Sequence, residues 1–254
     1  MILPIWLVAL PASITFLTRI PLGRTVYPDS AWRLITIWFP LVGLLLGFVL
    51  VFFWVLIEDL SLWSRAIIVV AIGILLTGGF HEDGLADSAD ALGGAYNRTD
   101  VLKILKDSRI GTFGSLALIC VVLLKISLIV DLADHAPVGI ILSHSLSRCI
   151  PVIQLGIQPY ARRDLMESKS RDIAHSGIFQ VIVSLLWYLI ILSFGVFLGK
   201  VGLFEAVIIT LALIITASIF GVYIQRRVGG HTGDFLGAIQ QLSEVTILTI
   251  ICLF

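Results

Sequence analysis

Three aspartates stand at helical spacing in the longest polar loop of the sequence. Asp83, Asp87 and Asp90 occupy positions i, i+4 and i+7, which fall within an arc of about 60° on one helix face. Carboxylates this close repel one another unless a cation lies between them. Mg²⁺ binds oxygen ligands, commonly one or two carboxylates together with water and phosphate oxygens. Because the cluster follows a Gly-Gly pair at the end of an apolar segment, we interpret it as a Mg²⁺ site rather than a solvated acidic surface.

Two glycine-rich stretches, each directly before an apolar segment, have the character of anion-binding sites. Glycine lets the backbone approach a ligand closely, and a helix N-terminus directs free N–H groups at an anion. The candidate residues are Lys106, Arg109, Gly111 and Gly114 in the first stretch, and Gly229, Gly230, Thr232 and Gly233 in the second. Asp234 follows the second stretch, where a carboxylate repels phosphate unless a metal lies between them. We therefore predict that Asp234 is a further metal ligand rather than a helix cap.

The composition indicates what kind of protein must position these residues. Of the 254 residues, 58% are hydrophobic and only 13% are charged, which is about half the charged fraction of soluble domains. This excludes a soluble enzyme, a disordered chain and a fibrous repeat. Seventeen basic and seventeen acidic residues cancel, so the chain has no basic surface for nucleic acid. The sequence therefore predicts an all-α, polytopic integral membrane bundle that forms a single catalytic domain over residues 1–254.

Apolar stretches of about 20 residues, the length that crosses a bilayer, predict the transmembrane helices. Seven stretches qualify, at residues 34–57, 62–80, 110–130, 136–158, 176–199, 203–225 and 235–254. Residues 2–18 are also apolar but contain two prolines, and they form an eighth span, a re-entrant segment or an interfacial helix. Lys125 lies near the end of the third stretch, from which its long side chain is expected to extend to the membrane interface.

The basic residues are distributed unequally between the two sides of the membrane. Thirteen lie in loops 19–33, 81–109, 159–175 and 226–234, whereas three, Arg65, Lys125 and Lys200, lie on the other side. By the positive-inside rule, the first set of loops is cytoplasmic. The aspartate cluster and both glycine-rich stretches are then on the cytoplasmic face of a multi-pass protein of the inner membrane.

Ionisable residues inside the predicted spans form a second group of candidates. His144 and Arg148 lie four residues apart in the fourth span, where charge is costly and often functional. They either reach a substrate phosphate or form an interhelical ion pair, and Glu244 in the seventh span is a candidate partner for Arg148. A basic loop either binds an anionic substrate or is an ordinary cytoplasmic loop; it contains Arg162, Arg163, Lys169 and Arg171.

The same stretches resemble three motifs of the cobalamin synthase family, also called adenosylcobinamide-GDP ribazoletransferases. The matching segments are GGFHEDGLADSAD at 78–90, KDSRIGTFG at 106–114 and GGHTGDFLGA at 229–238. FLTRIP at 16–21 and Ser147-Arg148 are shorter matches, and the order is preserved from residue 16 to about residue 244. Glu82 stands where members of the family often have an apolar residue, and Ala91 where glycine is common.

The resemblance implies a Mg²⁺-dependent membrane transferase of adenosylcobalamin synthesis. It would transfer adenosylcobinamide phosphate from adenosylcobinamide-GDP to α-ribazole or α-ribazole 5′-phosphate and release GMP. Metal, basic side chains and oriented N–H groups suit a diphosphate substrate. The predicted catalytic residues are His81, Asp83, Lys106 and Arg109, and the predicted phosphate-binding arginines are Arg19 and Arg148. The ribose 3′-hydroxyl is the expected nucleophile, and the candidates for accepting its proton are His81, Asp83 and Asp234. A homo-oligomer is compatible with the sequence.

Other classes of protein remain as alternatives. CDP-alcohol phosphotransferases and membrane prenyltransferases also have aspartate-rich Mg²⁺–diphosphate motifs, and Asp83-Gly84 followed by Asp87 and Asp90 is similar to both. The Ala-Arg pair and the downstream spacing of the first class are missing. A non-enzymatic, cation-coupled transporter is disfavoured, because transporters place ionisable residues near the membrane midplane, whereas here almost all lie in loops on one side. The nucleotide that the protein releases, GMP, CMP or none, distinguishes these classes.

Overall fold

The computed structural model describes residues 4–22, 26–161 and 176–254. This part of the chain is helical and contains no strand beyond one parallel bridge between Tyr160 and His231. Its helices are α1 (Ile5–Leu17), α2 (Asp29–Trp32), α3 (Phe39–Leu56), α4 (Leu62–Thr77), α5 (Phe80–Gly94), α6 (Arg98–Ile104), α7 (Thr112–Leu132), α8 (Ala136–Leu146), α9 (Cys149–Ile157), α10 (Ile178–Phe197), α11 (Leu203–Val228) and α12 (Gly233–Leu253). The fold is an all-α polytopic membrane bundle, as the sequence predicts.

Within the described residues, five helical segments are long and apolar enough to cross a membrane, and α4 with α5 makes six if this bent pair is one span. The five are Ile35–Leu56, Thr112–Ile157, Ile178–Phe197, Leu203–Val228 and Gly233–Leu253. The segment Thr112–Ile157 has 46 residues and includes two of the predicted spans. The chain turns within it at Ala133 (φ 48°), between α7 and α8. The count of seven spans stays a prediction.

The second predicted span is shorter than expected and ends in a sharp bend. Gly78 and Gly79 both have left-handed backbone angles (φ 69° and 67°), and α4 and α5 meet there at 89°. The 16 residues of α4 extend over about 24 Å, which is less than the roughly 30 Å of a hydrocarbon core. The aspartate motif, which was expected on a helix within a long cytoplasmic loop, lies on α5, and this helix packs against α7 and α12 inside the bundle.

Helix α1 is an apolar helix of 13 residues with Pro11 inside it. Its length of about 20 Å is too short for the full span that was one of the three alternatives for residues 2–18. The helix packs instead against the short helical turn before α3 and against the first turn of α3. Trp38 Nε1 donates a hydrogen bond to the carbonyl oxygen of Trp6 (2.7 Å), and the rings of Phe16 and Phe39 stack with centroids 5.7 Å apart.

Glycines allow two pairs of helices to approach closely. A Cβ on Gly84 of α5 would lie 2.8 Å from the Asp234 carbonyl oxygen, and one on Gly237 of α12 would lie 3.2 Å from the Cα of Gly84. Helix α3 packs on α8 in the same way at Gly43, where a Cβ would overlap the α8 backbone. Small residues at helix crossings are typical of membrane bundles. The crossing of α5 and α12 brings Asp83 and Asp234 to the same cavity.

Candidate active site

Two cavities lie beside the first turns of α5. The first, which we call the polar cavity, has a volume of about 650 Å³, and its lining includes Arg19, Glu82, Asp83, Asp87 and Ser108. The second, which we call the aromatic cavity, has a volume of about 260 Å³, and its lining includes Phe16, Phe39, Phe80, Tyr160, Arg148 and Asp234. Asp83, Phe16 and Phe80 line both cavities and therefore mark the place where they meet.

Arg19 is held at the polar cavity by the chain bend at Gly78. Its backbone N–H donates a hydrogen bond to the carbonyl oxygen of Leu76 (2.7 Å). Its side chain lies against Gly78, where an added Cβ would overlap the guanidinium Nε. The φ of 69° at Gly78 is one that L side chains rarely adopt. Gly78 therefore both turns the chain into α5 and leaves room for Arg19 in the cavity that Asp83 and Asp87 line.

The three aspartates of α5 divide between two tasks. Asp83 and Asp87 line the polar cavity, whereas Asp90 accepts hydrogen bonds from the backbone N–H groups of Gly111 (2.6 Å) and Gly114 (2.8 Å). Asp90 thereby caps α7 from a neighbouring helix, at the helix end that favours a negative charge. A Cβ on either glycine would overlap its carboxylate. Asp90 thus binds the N–H groups of Gly111 and Gly114, and the roles of these three residues in binding metal and phosphate stay predictions.

The carboxylates that line the polar cavity fit a metal that binds together with its substrate. The described residues contain no group of three or more His, Cys, Asp or Glu side chains that could hold a metal ion, so the four predicted aspartate ligands are not gathered in one place. Asp83 and Asp87 are one helical turn apart and line one cavity. Mg²⁺ commonly takes one or two carboxylates and completes its coordination with water and phosphate oxygens. These two aspartates are consistent with that donor set.

The loop before α7 reaches the polar cavity with Ser108 rather than with its basic residues. Lys106 and Arg109 are exposed, and the Arg109 guanidinium pairs with Asp107 (Nη2–Oδ2 2.7 Å) while its side chain is 86% exposed. Hydrogen bonds from Arg109 lower the pKa of the Asp107 carboxyl to about 2, and the same pair raises the pKa of Arg109. Both groups are therefore charged near neutral pH. The catalytic roles of Lys106 and Arg109 stay predictions.

The loop between α11 and α12 is fixed against the residues that follow α9. The His231 N–H donates to the carbonyl oxygen of Pro159 (2.9 Å), and the Ala161 N–H donates to that of His231 (2.8 Å). Gly229 ends α11 with φ 81°, and a Cβ on Gly230 would overlap the Pro159 carbonyl. These two glycines, which the sequence predicted to bind phosphate, are needed for the path of the chain.

The cap of α12 is Thr232. Its hydroxyl accepts a hydrogen bond from the Phe235 N–H (3.4 Å) and donates one to the Asp234 carboxylate (3.3 Å). Thr232 is fully buried and its side chain caps the helix, and its contact with substrate stays a prediction. Gly233 and Asp234 line the aromatic cavity. As predicted, Asp234 is not the cap of α12, because Thr232 has that role. Metal binding by Asp234 stays a prediction.

Paired charges fill the interior of the bundle next to the cavities. We call this group the buried ion cluster; it consists of Glu82, Lys125, His144, Arg148 and Glu244. Glu244 Oε2 lies 2.7 Å from Lys125 Nζ, and its Oε1 lies 2.9 Å from His144 Nδ1 and 3.5 Å from Arg148 Nη1. Glu82 Oε1 lies 3.6 Å from Lys125 Nζ. The predicted contact between Glu244 and Arg148 is therefore present.

Two glutamines of α12 complete the pairing of the buried ion cluster. Gln240 donates to Glu244 Oε1 (2.7 Å), and Gln241 accepts from Lys125 (3.0 Å) and donates to Glu82 Oε1 (3.1 Å).

The expectation that Lys125 extends to the membrane interface is wrong, because the residue is 5% exposed. Sequence reasoning missed the cluster around Lys125. The available signal was a lysine inside an otherwise apolar helix, which requires an acidic partner in the interior.

Arg148 connects the buried ion cluster with the aromatic cavity. Its side chain is 2% exposed, and its Nη1 donates to the carbonyl oxygen of His144 (2.6 Å). The Nε is buried and has no hydrogen-bond partner among the described residues. A buried donor without a partner is rare and indicates a ligand or a water. His81, which is 5% exposed, also lines the aromatic cavity.

The predicted phosphate-binding arginines lie in different cavities. Arg19 lines the polar cavity and Arg148 the aromatic cavity, and Asp83 lines both. The site therefore has one guanidinium in each cavity and a shared carboxylate. The predicted basic loop lies outside the described residues; it contains Arg162, Arg163, Lys169 and Arg171.

Comparisons with known proteins give the family of the chain. A family model described as cobalamin-5-phosphate synthase matches residues 9–252. A protein of Shewanella baltica (strain OS185) named adenosylcobinamide-GDP ribazoletransferase is 38% identical over 91% of this chain and 88% of its own length. Proteins of the same name from Shewanella amazonensis and Shewanella oneidensis are 37% and 39% identical, over 95% and 91% of this chain and 93% and 88% of their own lengths. No solved structure matches the chain. The chain therefore belongs to the cobalamin-5-phosphate synthase family and is a transferase of cobalamin synthesis.

Proposed function

We propose that the protein transfers the adenosylcobinamide phosphate group from adenosylcobinamide-GDP to α-ribazole or α-ribazole 5′-phosphate and releases GMP. The names of the relatives support the donor and the ribazole acceptor. The observation that carries the proposal is the polar cavity, whose volume of about 650 Å³ is lined by Arg19, Asp83 and Asp87. A guanidinium beside two carboxylates suits a diphosphate that binds together with a divalent cation.

Mg²⁺ is the cofactor in this proposal. Asp83 and Asp87 would hold it with the diphosphate oxygens, and Asp234 is a further proposed ligand on the α12 side. Bound there, it would neutralise the charge that develops on the transferred phosphoryl group and on the leaving phosphate. Arg19 adds a fixed positive charge, since Leu76 holds its backbone and Gly78 accommodates its side chain.

The proposed reaction is a displacement at phosphorus. The 3′-hydroxyl oxygen of the ribose attacks the phosphorus next to cobinamide, a bond to the ribose oxygen forms, and the bond to the GMP oxygen breaks with its electron pair leaving on GMP. The hydroxyl proton passes to a base, for which Asp83 is the best placed because it lines both cavities. His81 and Asp234 line the aromatic cavity and are the other candidates.

Activity with purified protein in lipid vesicles tests this function. With adenosylcobinamide-GDP, α-ribazole and Mg²⁺, GMP and the cobalamin product should appear in equal amounts, and a chelator should stop both. CDP-activated lipids and prenyl diphosphates should give no product. Asp87→Asn should lower the rate by about 100-fold or more, as expected for a lost contact to the developing charge, whereas Asp107→Asn on the exposed loop is the matched control. Failure of the wild type to form GMP from these two substrates would contradict the proposal.

In this proposal the protein lies in the inner membrane and its site faces the cytoplasm, because thirteen Lys and Arg residues lie in the loops on that side, whereas two, Arg65 and Lys200, lie on the other side. The exposed residues Ser108 and Lys200 allow a test in a background without reactive cysteines. Ser108→Cys should react with an impermeant maleimide only in inside-out vesicles, and Lys200→Cys only in intact cells. The reversed pattern would contradict the orientation. Ser88 is 2% exposed and is unsuitable for labelling.

A further inference from the structure

The aromatic cavity is next to the proposed phosphate chemistry but differs from the polar cavity in its lining. We propose that it binds the flat aromatic base of the ribazole acceptor, with the ribose directed to Asp83. This inference rests on the proposed function for the identity of the acceptor. The cavity assignment can nevertheless fail while the overall reaction is confirmed, and the experiments below separate the two outcomes.

The walls of the aromatic cavity suit a flat ring system. Phe16 stacks on Phe39 at 5.7 Å between centroids, and Phe80 meets Phe16 edge-on at 5.4 Å. Leu155 and Leu236 belong to the same lining. Aromatic side chains bind other aromatic rings through offset-stacked or edge-to-face contacts and bury a large apolar area when they do so. Phe16 and Phe80 line both cavities, but Phe39, Leu155 and Leu236 line the aromatic cavity and not the polar cavity, so the apolar contacts for a bicyclic base are concentrated in the aromatic cavity.

The polar groups in the lining match an aromatic base better than a lipid chain. The base of ribazole is a benzimidazole, and its ring nitrogen that carries no sugar accepts a hydrogen bond. Arg148 lines the cavity, and its buried Nε has no partner among the described residues; His81 in the same lining is 5% exposed. An acyl chain has no acceptor and would leave the Arg148 donor unsatisfied, which is costly in an apolar environment.

The sizes of the two cavities support the same assignment. A volume of about 260 Å³ is slightly below the range of about 300–1,000 Å³ that is usual for small-molecule pockets, which suits a ligand as small as a nucleoside. A corrinoid ring with its side chains is several times larger than a nucleoside and must lie outside this cavity. The diphosphate of the donor would then bind in the polar cavity, which has a volume of about 650 Å³. Since Asp83 lines both, the ribose hydroxyl and the diphosphate would meet at this residue.

Narrowing the aromatic cavity tests the assignment. Leu236→Trp places a larger ring in its lining, and Leu189→Trp, at a residue of α10 that is 58% exposed, is the matched control. Binding of α-ribazole alone is measured by titration calorimetry in lipid nanodiscs, and the KM of each substrate is measured by GMP release. Leu236→Trp should weaken α-ribazole binding by about tenfold or more, while the KM for adenosylcobinamide-GDP changes by less than about twofold. Leu189→Trp should change neither.

Enlarging the cavity gives an independent test that does not depend on the folding of Leu236→Trp. Leu155→Ala should improve the use of a riboside with a tricyclic base relative to α-ribazole. Thermal unfolding is measured for both variants.

If Leu236→Trp leaves α-ribazole binding unchanged and raises the KM for the donor, the cavity belongs to the donor and the inference is overturned. If neither changes in either variant, the cavity is not a substrate site and the inference is equally overturned. A wild type that binds α-ribazole in this cavity but releases no GMP would instead contradict the proposed function alone.

Discussion

The polar cavity and the buried ion cluster are built from the same kinds of side chain, but they differ in what the charges surround. In the buried ion cluster, Glu244 and Glu82 each have a cation within 3.6 Å, and Gln240 and Gln241 donate further hydrogen bonds to them. In the polar cavity, Arg19, Asp83 and Asp87 are arranged around an open volume. Charges that neutralise one another inside the bundle stabilise a particular packing of helices, whereas charges that line a volume of this size can contact a ligand within it.

The space beside the buried ion cluster supports this difference. The cavity that its members line has a volume of about 20 Å³, which holds about one water molecule. Glu82 Oε2 is buried without a hydrogen-bond partner among the described residues, and such a water would satisfy it. This volume is too small for a substrate. Ionisable residues inside the spans, which are otherwise a feature of transporters, here hold α5, α7 and α12 together around Glu244.

The largest expected effect is on stability and concerns Glu244. Glu244→Gln leaves Lys125 and Arg148 with too little negative charge in the interior, and a buried charge that loses its partner costs about 3–5 kcal/mol. The thermal unfolding midpoint in detergent should fall accordingly. Glu58→Gln, at an exposed residue, is the matched control and should be near neutral. Equal midpoints for the two variants would show that the cluster does not stabilise the bundle.

The stability costs of Glu244→Gln and Lys125→Met should not be additive. The double variant Glu244→Gln/Lys125→Met removes one charge of each sign, so its cost should be smaller than the sum of the single costs by about 1–3 kcal/mol. A double-mutant cycle of chemical unfolding free energies measures this coupling. Additive costs would contradict the pairing of Lys125 with Glu244 seen at 2.7 Å.

A smaller effect, on activity rather than stability, is expected at the start of α12. Asp234→Asn should lower GMP release by about tenfold or more if the carboxylate binds metal, and it should raise the Mg²⁺ concentration needed for half-maximal rate. Thr232→Val removes the cap and should cost about 1 kcal/mol of stability. An Asp234→Asn variant with wild-type activity would leave Asp83 and Asp87 as the metal ligands and exclude Asp234.

The smallest effect is expected for Arg109. Exposed ion pairs contribute little, so Arg109→Ala should change GMP release by less than about twofold. The pKa of Asp107, lowered to about 2 by Arg109, means that the pair loses its charge only in strong acid, so the small effect should be the same between about pH 5 and pH 9. A loss of tenfold or more at any pH in this range would restore the catalytic role that the sequence predicted for Arg109.

Features that depend on neighbouring residues were predictable from the sequence. Apolar stretches of the right length predicted the membrane helices, and the helical spacing of Asp83 and Asp87 placed them together on one cavity. The Gly78-Gly79 pair marked the beginning of the site. The positions of Asp83 and Asp87 depend on interactions within one or two turns of a helix, and the membrane helices depend on the contact of a whole segment with lipid. Both kinds of interaction leave a pattern in the sequence.

Apart from the Glu244–Arg148 contact, the contacts between distant residues were not predictable from the sequence. Asp90 has the same spacing as its two neighbours but caps α7 through Gly111 and Gly114, a contact that periodicity along α5 does not encode. Lys125 near the end of an apolar stretch was expected at the interface, but its partner Glu244 lies on α12 and holds it in the interior. The sequence gives the types of these residues and not which helices pack together.

The division of tasks between the polar cavity and the buried ion cluster is tested most directly by measuring GMP release and thermal unfolding on the same preparation of Asp83→Asn. Asp83 lines both cavities and lies outside the buried ion cluster. Mg²⁺-dependent GMP release should fall by about 100-fold or more, while the unfolding midpoint stays within about 2 °C of the wild type. Near wild-type GMP release, or a loss of activity that only follows a loss of folded protein, would contradict the assignment of the chemistry to the polar cavity.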